Sequence, residues 1–275
     1  MLNIVATLLT TVLLSAGSSQ STGMQAAVEY PSPLVREEQK VTVNGTPETW
    51  RLQWSASPGP ECEPSDVSLT CPCMGFAYGE AGDLYLVQLR NGAETERLHL
   101  TELFSEAPSA SDHPQALVQR WAPDYKKDFR LGQRDNFPML VAKRNTVQLM
   151  RFGDYDHDGS ATEFYLQTDT APCGKSIGVV IGVTKRNPKL HVFGFASHPE
   201  KRMYLDKREW DALNQASSGP VRVTVLGCGD HGSGREIEDE LNWSEAGIDG
   251  VRREYACSDE FERKSLVSEK PLSRP

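Results

Sequence analysis

Two Asn-Gly pairs, Asn44-Gly45 and Asn91-Gly92, each separate two stretches with strand character. Asn-Gly supplies the two consecutive positive-φ residues that a two-residue hairpin turn needs to match the twist of its strands. Lys40 to Thr46 alternates polar and apolar into the first pair, and Trp50-Arg51-Leu52-Gln53-Trp54 alternates out of it. Asp83-Leu84-Tyr85-Leu86-Val87-Gln88-Leu89-Arg90 enters the second pair as a strand buried on both faces, and Glu96 to Leu100 leaves it. A chain with such turns is committed to antiparallel pairing between sequence neighbours.

The rest of the chain extends that pattern. Strands are expected at Met139 to Ala142, Val147 to Phe152 and Glu163 to Gln167. A further hairpin runs from Ser176–Thr184 to Leu190–Phe195 around Arg186-Asn187-Pro188, and Val221 to Leu226 is another strand. One helix is expected from an Asp206 N-cap through Trp210 to Leu213. Ser105 to Asn136 decays into Pro, Ser, Asp and Lys and reads as a linker or long loop, with at most one helical turn near Gln115 to Arg120. The fold class is mainly β: antiparallel hairpins in a propeller-like or sandwich arrangement, with one short helix and long loops. The organisation expected is a leader (1–19), an N-terminal β region (26–104), the 105–136 connection, a C-terminal β region (137–258) and a flexible charged tail (259–275). A weak similarity between Phe76–Leu84 and the segment beginning Phe152-Gly153-Asp154 hints at repeated blade-like units.

Ile4 to Leu14 is an unbroken run of aliphatics and threonines, followed by Ser15-Ala16-Gly17-Ser18-Ser19. That is the pattern of an export leader, with cleavage expected between Ser18 and Gln25. No later run approaches the length of a membrane span, so the mature chain is expected in the periplasm or medium, without membrane insertion. Its six cysteines (Cys62, Cys71, Cys73, Cys173, Cys228 and Cys257) then read as disulfides. Cys228 and Cys257 each end a strand pattern of the same terminal unit and should be joined; Cys62 should pair with Cys71 or Cys73, leaving Cys173 to reach back across the chain. The net charge of −9 argues against nucleic acid, whose phosphates it would repel, and leaves a protein or glycan as the expected partner.

Chemistry concentrates in Phe152-Gly153-Asp154-Tyr155-Asp156-His157-Asp158-Gly159-Ser160-Ala161-Thr162-Glu163-Phe164. Three aspartates at alternate positions can curl around a hard cation, and the glycine takes the sharp turn. Three carboxylates this close repel one another unless a cation joins them. The EF-hand pattern fails here, because the flanks are strands and the twelfth position from Asp154 is Tyr165. The segment resembles the calcium loops of FG-GAP and VCBS repeats, which join two strands of a propeller blade in integrin-like and exported bacterial proteins. That resemblance implies Ca²⁺ held by the carboxylates of Asp154, Asp156 and Asp158, by the backbone carbonyl of Ser160, and by the Thr162 hydroxyl where the family carries an acid. Glu163, one place on, is expected on the opposite face of its strand. His157 falls at a non-ligand position.

Other motifs weigh less. Gly227-Cys228-Gly229-Asp230-His231-Gly232 matches G-x-G-x-x-G, but too little chain follows for a nucleotide-binding domain, so it reads as a glycine-rich turn tied down by a disulfide. Asp230-His231 near Ser233 offers a hydrolase site as the alternative function, although no Gly-x-Ser-x-Gly surrounds that serine. The leading expectation is an exported calcium-binding β-protein of structural or binding type; an adhesion module is the other alternative.

Overall fold

The computed structural model describes residues 34–61, 76, 78–107, 115–122, 124, 143–171, 175–244 and 247–272. The leader, Cys62, Cys71, Cys73, Cys173 and the strand expected at Met139–Ala142 lie outside the described residues.

The described chain is mainly β, in four sheets whose pairings are antiparallel but for one contact. Strands β1 (Val35–Val43) and β2 (Thr46–Trp54) close directly over Asn44-Gly45, with Val43 opposite Thr46. Both turn residues take positive φ, 49° and 77°, as a hairpin of this length requires. Strands β5 (Leu84–Arg90) and β6 (Ala93–His99) do the same over Asn91-Gly92, and the four form a sheet in the order β1-β2-β5-β6. A three-stranded sheet pairs β3 (Gly59–Glu61) and β7 (Ala116–Gln119) on either side of β4 (Gly79–Gly82).

Strand β7 replaces the helical turn expected near Gln115–Arg120: Ala116 and Val118 alternate into the core, a period of two that the surrounding polar residues mask. Just before it, α1 (Glu102–Ser105) is a single turn. Val147 to Arg151 is not a strand either; only β8 (Phe152–Gly153) pairs. Side chains of β1 take up backbone groups of that stretch, Glu37 accepting from the Leu149 amide at 2.6 Å and Arg36 donating to the Val147 carbonyl at 2.9 Å.

The second large sheet runs β11-β10-β9-β8, from β9 (Glu163–Ala171), β10 (Lys175–Gly182) and the edge pair β11 (His191–Val192); β14 (Leu205–Asp206) also pairs with β10. The chain then passes into a six-stranded sheet. Here β12 (Gly194–Phe195) lies between β13 (His198–Arg202) and β17 (Gly247–Cys257), and β16 (Arg235–Ser244) and β15 (Val221–Leu226) continue outward from β17. The β12–β17 contact, Phe195 opposite Ile248, is the one parallel pairing among the described strands. Helix α2 (Lys207–Gln215) starts at Asp206 in a full capping box: Asp206 accepts from the Arg208 amide and Glu209 reaches back to the Asp206 amide. Its Trp210 and Leu213 are fully buried.

The expected loose tail is instead largely β18 (Arg263–Pro271), paired along β17. Its charges serve cross-strand pairs: Arg253 meets Glu269 at 2.7 Å, and Arg263 meets Glu238 at 2.8 Å. Among the described residues the two segments of the suggested repeat are placed differently: β4 is central in a three-stranded sheet and β8 is an edge strand of another. Two core clusters hold the sheets. One draws Trp50, Leu52, Leu84 and Leu86 together with Phe164, Leu166, Val179 and Ile181, so chain from both sides of 105–136 shares it. The other gathers Trp210, Leu213, Met203, Leu241 and Ile248. Among the described residues no helix is long and apolar enough to cross a membrane.

Candidate metal centre

The aspartate loop is an excursion between β8 and β9, whose ends are held together by the pairs Phe152–Phe164 and Gly153–Glu163. A Cβ on Gly153 would lie 2.4 Å from Asn214 Oδ1 of α2, so a side chain there would displace the oxygen that accepts from the Asp154 amide at 3.1 Å. Within the loop, side-chain oxygens fix the backbone. Asp156 Oδ1 accepts from the Asp158 amide at 3.1 Å, Asp158 Oδ1 from the Ser160 amide at 2.8 Å, and Asp154 Oδ2 from the Gly159 amide at 2.9 Å. Gly159 takes a φ of +87° and His157 one of +58°, which is what turns the chain back on itself.

This winding brings one carboxylate oxygen each from Asp154, Asp156 and Glu163 within 4.8 Å of one another. Two oxygens on opposite sides of a hard divalent ion, each at about 2.4 Å, would be about 4.8 Å apart, so three oxygens at this spacing can share one ion. Asp154 Oδ1 is buried and has no hydrogen-bond partner among the described residues. Burial pushes the Asp156 carboxyl up to about 6, with the charges of Asp158 and Asp154 adding to it against the Asp158 amide. Glu163 is pushed up to about 8, again mainly by burial; the Thr162 hydroxyl and the Tyr155 amide pull it back, and Asp156 and Asp158 push it further. Crowded, desolvated carboxyls of this kind are what a cation neutralises.

Of the residues expected from the sequence, Asp154 and Asp156 enter the cluster. Asp158 turns to the neighbouring strand connection, its Oδ2 accepting from the Lys185 amide at 2.7 Å, with the Lys185 ammonium against the Asp158 carbonyl. Ser160 donates its amide to Asp158 Oδ1 at 2.8 Å and is not among the three clustered residues. Thr162 Oγ1 lies 2.6 Å from Glu163 Oε1 and 2.9 Å from the Val183 carbonyl, so its single proton is committed within the fold.

Glu163 is the residue that sequence reasoning placed wrongly. It is fully buried and its Oε2 accepts from the Tyr155 amide at 2.9 Å, inside the loop and not away from it. Its cross-strand partners are both glycines, Gly153 on β8 and Gly182 on β10, and a Cβ on Gly182 would lie 2.9 Å from Glu163 Cγ. An acid opposite a glycine at the mouth of the loop was the available signal.

The Asp230-His231 pair lies in a short 3-10 turn (Asp230–Gly232). Asp230 pairs with Lys175 at 3.1 Å, which holds its carboxyl below the usual range. His231 is half exposed, 3.5 Å from Asp230, and the Ser233 hydroxyl donates to the Arg235 carbonyl at 2.8 Å. That hydroxyl is therefore not aimed at the imidazole. Gly229 and Gly232 take positive φ, and a strand follows the turn where a dinucleotide fingerprint needs a helix N-terminus. The expected bridge between Cys228 and Cys257 is present.

No protein-family model, curated protein sequence or solved structure matches this chain.

Proposed function

We propose that this is an exported calcium-binding β-protein, structural or binding in role, whose ion is held by Asp154, Asp156 and Glu163. The observation that carries the proposal is the convergence of one carboxylate oxygen each from Asp154, Asp156 and Glu163, beside which Asp154 Oδ1 is buried without a partner among the described residues. Calcium is preferred over smaller ions because the Asp-x-Asp-x-Asp-Gly run resembles FG-GAP and VCBS calcium loops. Export is supported by the leader pattern and by the Cys228–Cys257 bridge, which belongs to an oxidising compartment. An adhesion role would use the same loop. The hydrolase alternative has less support, because Asp230 is engaged by Lys175 and Ser233 is turned elsewhere.

Calcium that binds only the folded state should stabilise it by about 2.7 kcal/mol at a hundredfold excess over Kd. A site with few charged ligands belongs to the weak extracellular range, on the order of 10⁻⁴ to 10⁻³ M. Thermal melting in excess calcium and in chelator tests this: the wild type should melt higher with calcium, and Asp156→Ala should lose the difference. Superimposable wild-type curves would remove the proposal.

A further inference from the structure

A cleft of ≈ 700 Å³ opens beside the aspartate loop, over the seam where the chain passes from the five-stranded to the six-stranded sheet. The loop contributes Asp156 and His157, the connection after β10 contributes Lys185 and Asn187, the crossing between sheets contributes Phe193, and the end of β16 contributes Trp243. His157 from the aspartate loop and Trp243 from β16 lie with ring centroids 4.2 Å apart and planes tilted by 32°. The volume falls within the roughly 300–1,000 Å³ typical of small-ligand sites.

We propose that this cleft binds a small neutral saccharide. The inference takes the binding-module reading as its premise and names the chemistry of the partner; it does not require the cation, although Asp156 belongs to both sites. Three features of the lining select the ligand. Trp243, with the His157 imidazole against its ring, is still partly exposed in the lining and supplies aromatic surface for the C–H side of a pyranose. Around it stand acceptors and donors of both kinds, two carboxylates (Asp156 and Asp158) and two cations (Lys185 and Arg186), so these four side chains carry no net formal charge to favour an ionic ligand. A purely apolar occupant would strip water from those charges without replacing their hydrogen bonds, whereas sugar hydroxyls can both donate and accept. His157 Nε2, buried and without a partner among the described residues, is one more group that a hydroxyl entering beside the ring would satisfy.

The test is a calorimetric and protein-observed NMR titration of the exported chain. The probes are methyl glycosides of glucose, galactose, mannose and N-acetylglucosamine, with the dipeptide Phe-Leu amide as the apolar competitor, each in excess calcium and in chelator. At least one glycoside should bind in the millimolar range or tighter, and Trp243→Ala should weaken it by about tenfold or more. Trp243→Phe, which keeps a ring, should retain most of the binding and preserves the test if the alanine variant misfolds. Failure of every glycoside, binding of the dipeptide alone, or binding indifferent to both Trp243 variants would overturn the proposal. Glycoside binding with melting insensitive to calcium would remove the metal reading and leave the cleft standing. Calcium-dependent melting without glycoside binding would do the reverse.

Discussion

Glu163 Oε2 accepts a hydrogen bond of 2.9 Å from the backbone amide of Tyr155, across the mouth of the aspartate loop. That contact joins the first residue of the outgoing strand to the second residue of the loop. The Tyr155 ring in turn meets Trp210 edge-on at 6.0 Å, in the core under helix α2. The carboxylate cluster is therefore anchored from below, and the Asp154 amide is tied to the same helix through Asn214. A loop fixed this way loses little conformational freedom when an ion enters, which favours binding.

Glu163→Gln should weaken calcium binding by about tenfold or more, roughly 1.4 kcal/mol, because an amide oxygen replaces a charged ligand. In chelator the same variant should melt at or above the wild-type temperature, since it removes a buried acid crowded by Asp156 and Asp158. Calorimetry with and without calcium checks both signs. An unchanged calcium response in the variant would return Glu163 to a structural role.

What could be read from the sequence was local. Asn44-Gly45 and Asn91-Gly92 close their hairpins because turn geometry depends on two residues, and Asp206 caps its helix with help from Glu209 three places on. The Cys228–Cys257 bridge followed from two strand ends in one terminal unit. What escaped depends on distant partners. Val147–Arg151 is held by Arg36 and Glu37, more than a hundred residues earlier in the chain. Strand β18 looks like a loose charged tail until the acids of β16 and the arginines of β17 lie beside it. Glu163 is flanked by glycines on both neighbouring strands, Gly153 on β8 and Gly182 on β10, a matter of register that alternation along one strand cannot reveal.

Glu80→Ala should cost about 3–5 kcal/mol of stability, the range for removing one partner of a buried ion pair. Glu80 is fully buried, pairs with Arg36, and meets Arg120 at 2.7 Å. Arg36 is itself buried and also donates to the Gln119 carbonyl at 3.0 Å, so the network joins β1, β4 and β7. Urea denaturation measures the loss; a change below about 1 kcal/mol would mean that water replaces the carboxylate without penalty.

Replacing both Cys228 and Cys257 by alanine should destabilise the protein by roughly 3–4 kcal/mol, the chain-entropy expectation for a loop of this size. The two residues are 29 apart in sequence and enclose the glycine-rich turn and all of β16. Denaturant midpoints of the oxidised wild type and the double variant give the value. Unpaired thiols at these positions in the purified protein would contradict the bridge directly.

Acid should reveal Asp83. Its Oδ1 is 2.5 Å from His99 Nε2 and accepts from Thr101 Oγ1 at 2.8 Å, and Thr101 in turn accepts from the buried Leu84 amide at 2.9 Å. Burial alone would raise the Asp83 carboxyl, but the hydrogen bonds from His99 and Thr101 outweigh it and bring the group down to about 2. A carboxylate whose folded value lies below its unfolded one stabilises the fold fully above the unfolded value, about 3.9. That stabilisation is lost as pH falls from there through about 2. Because the side chain is 40% exposed, solvent screening reduces the effect to about 1 kcal/mol. Melting temperature followed from pH 5 to pH 2 should therefore fall more steeply for the wild type than for Asp83→Asn, which has no proton to take up; parallel curves would show that Asp83 is not what acid unfolds.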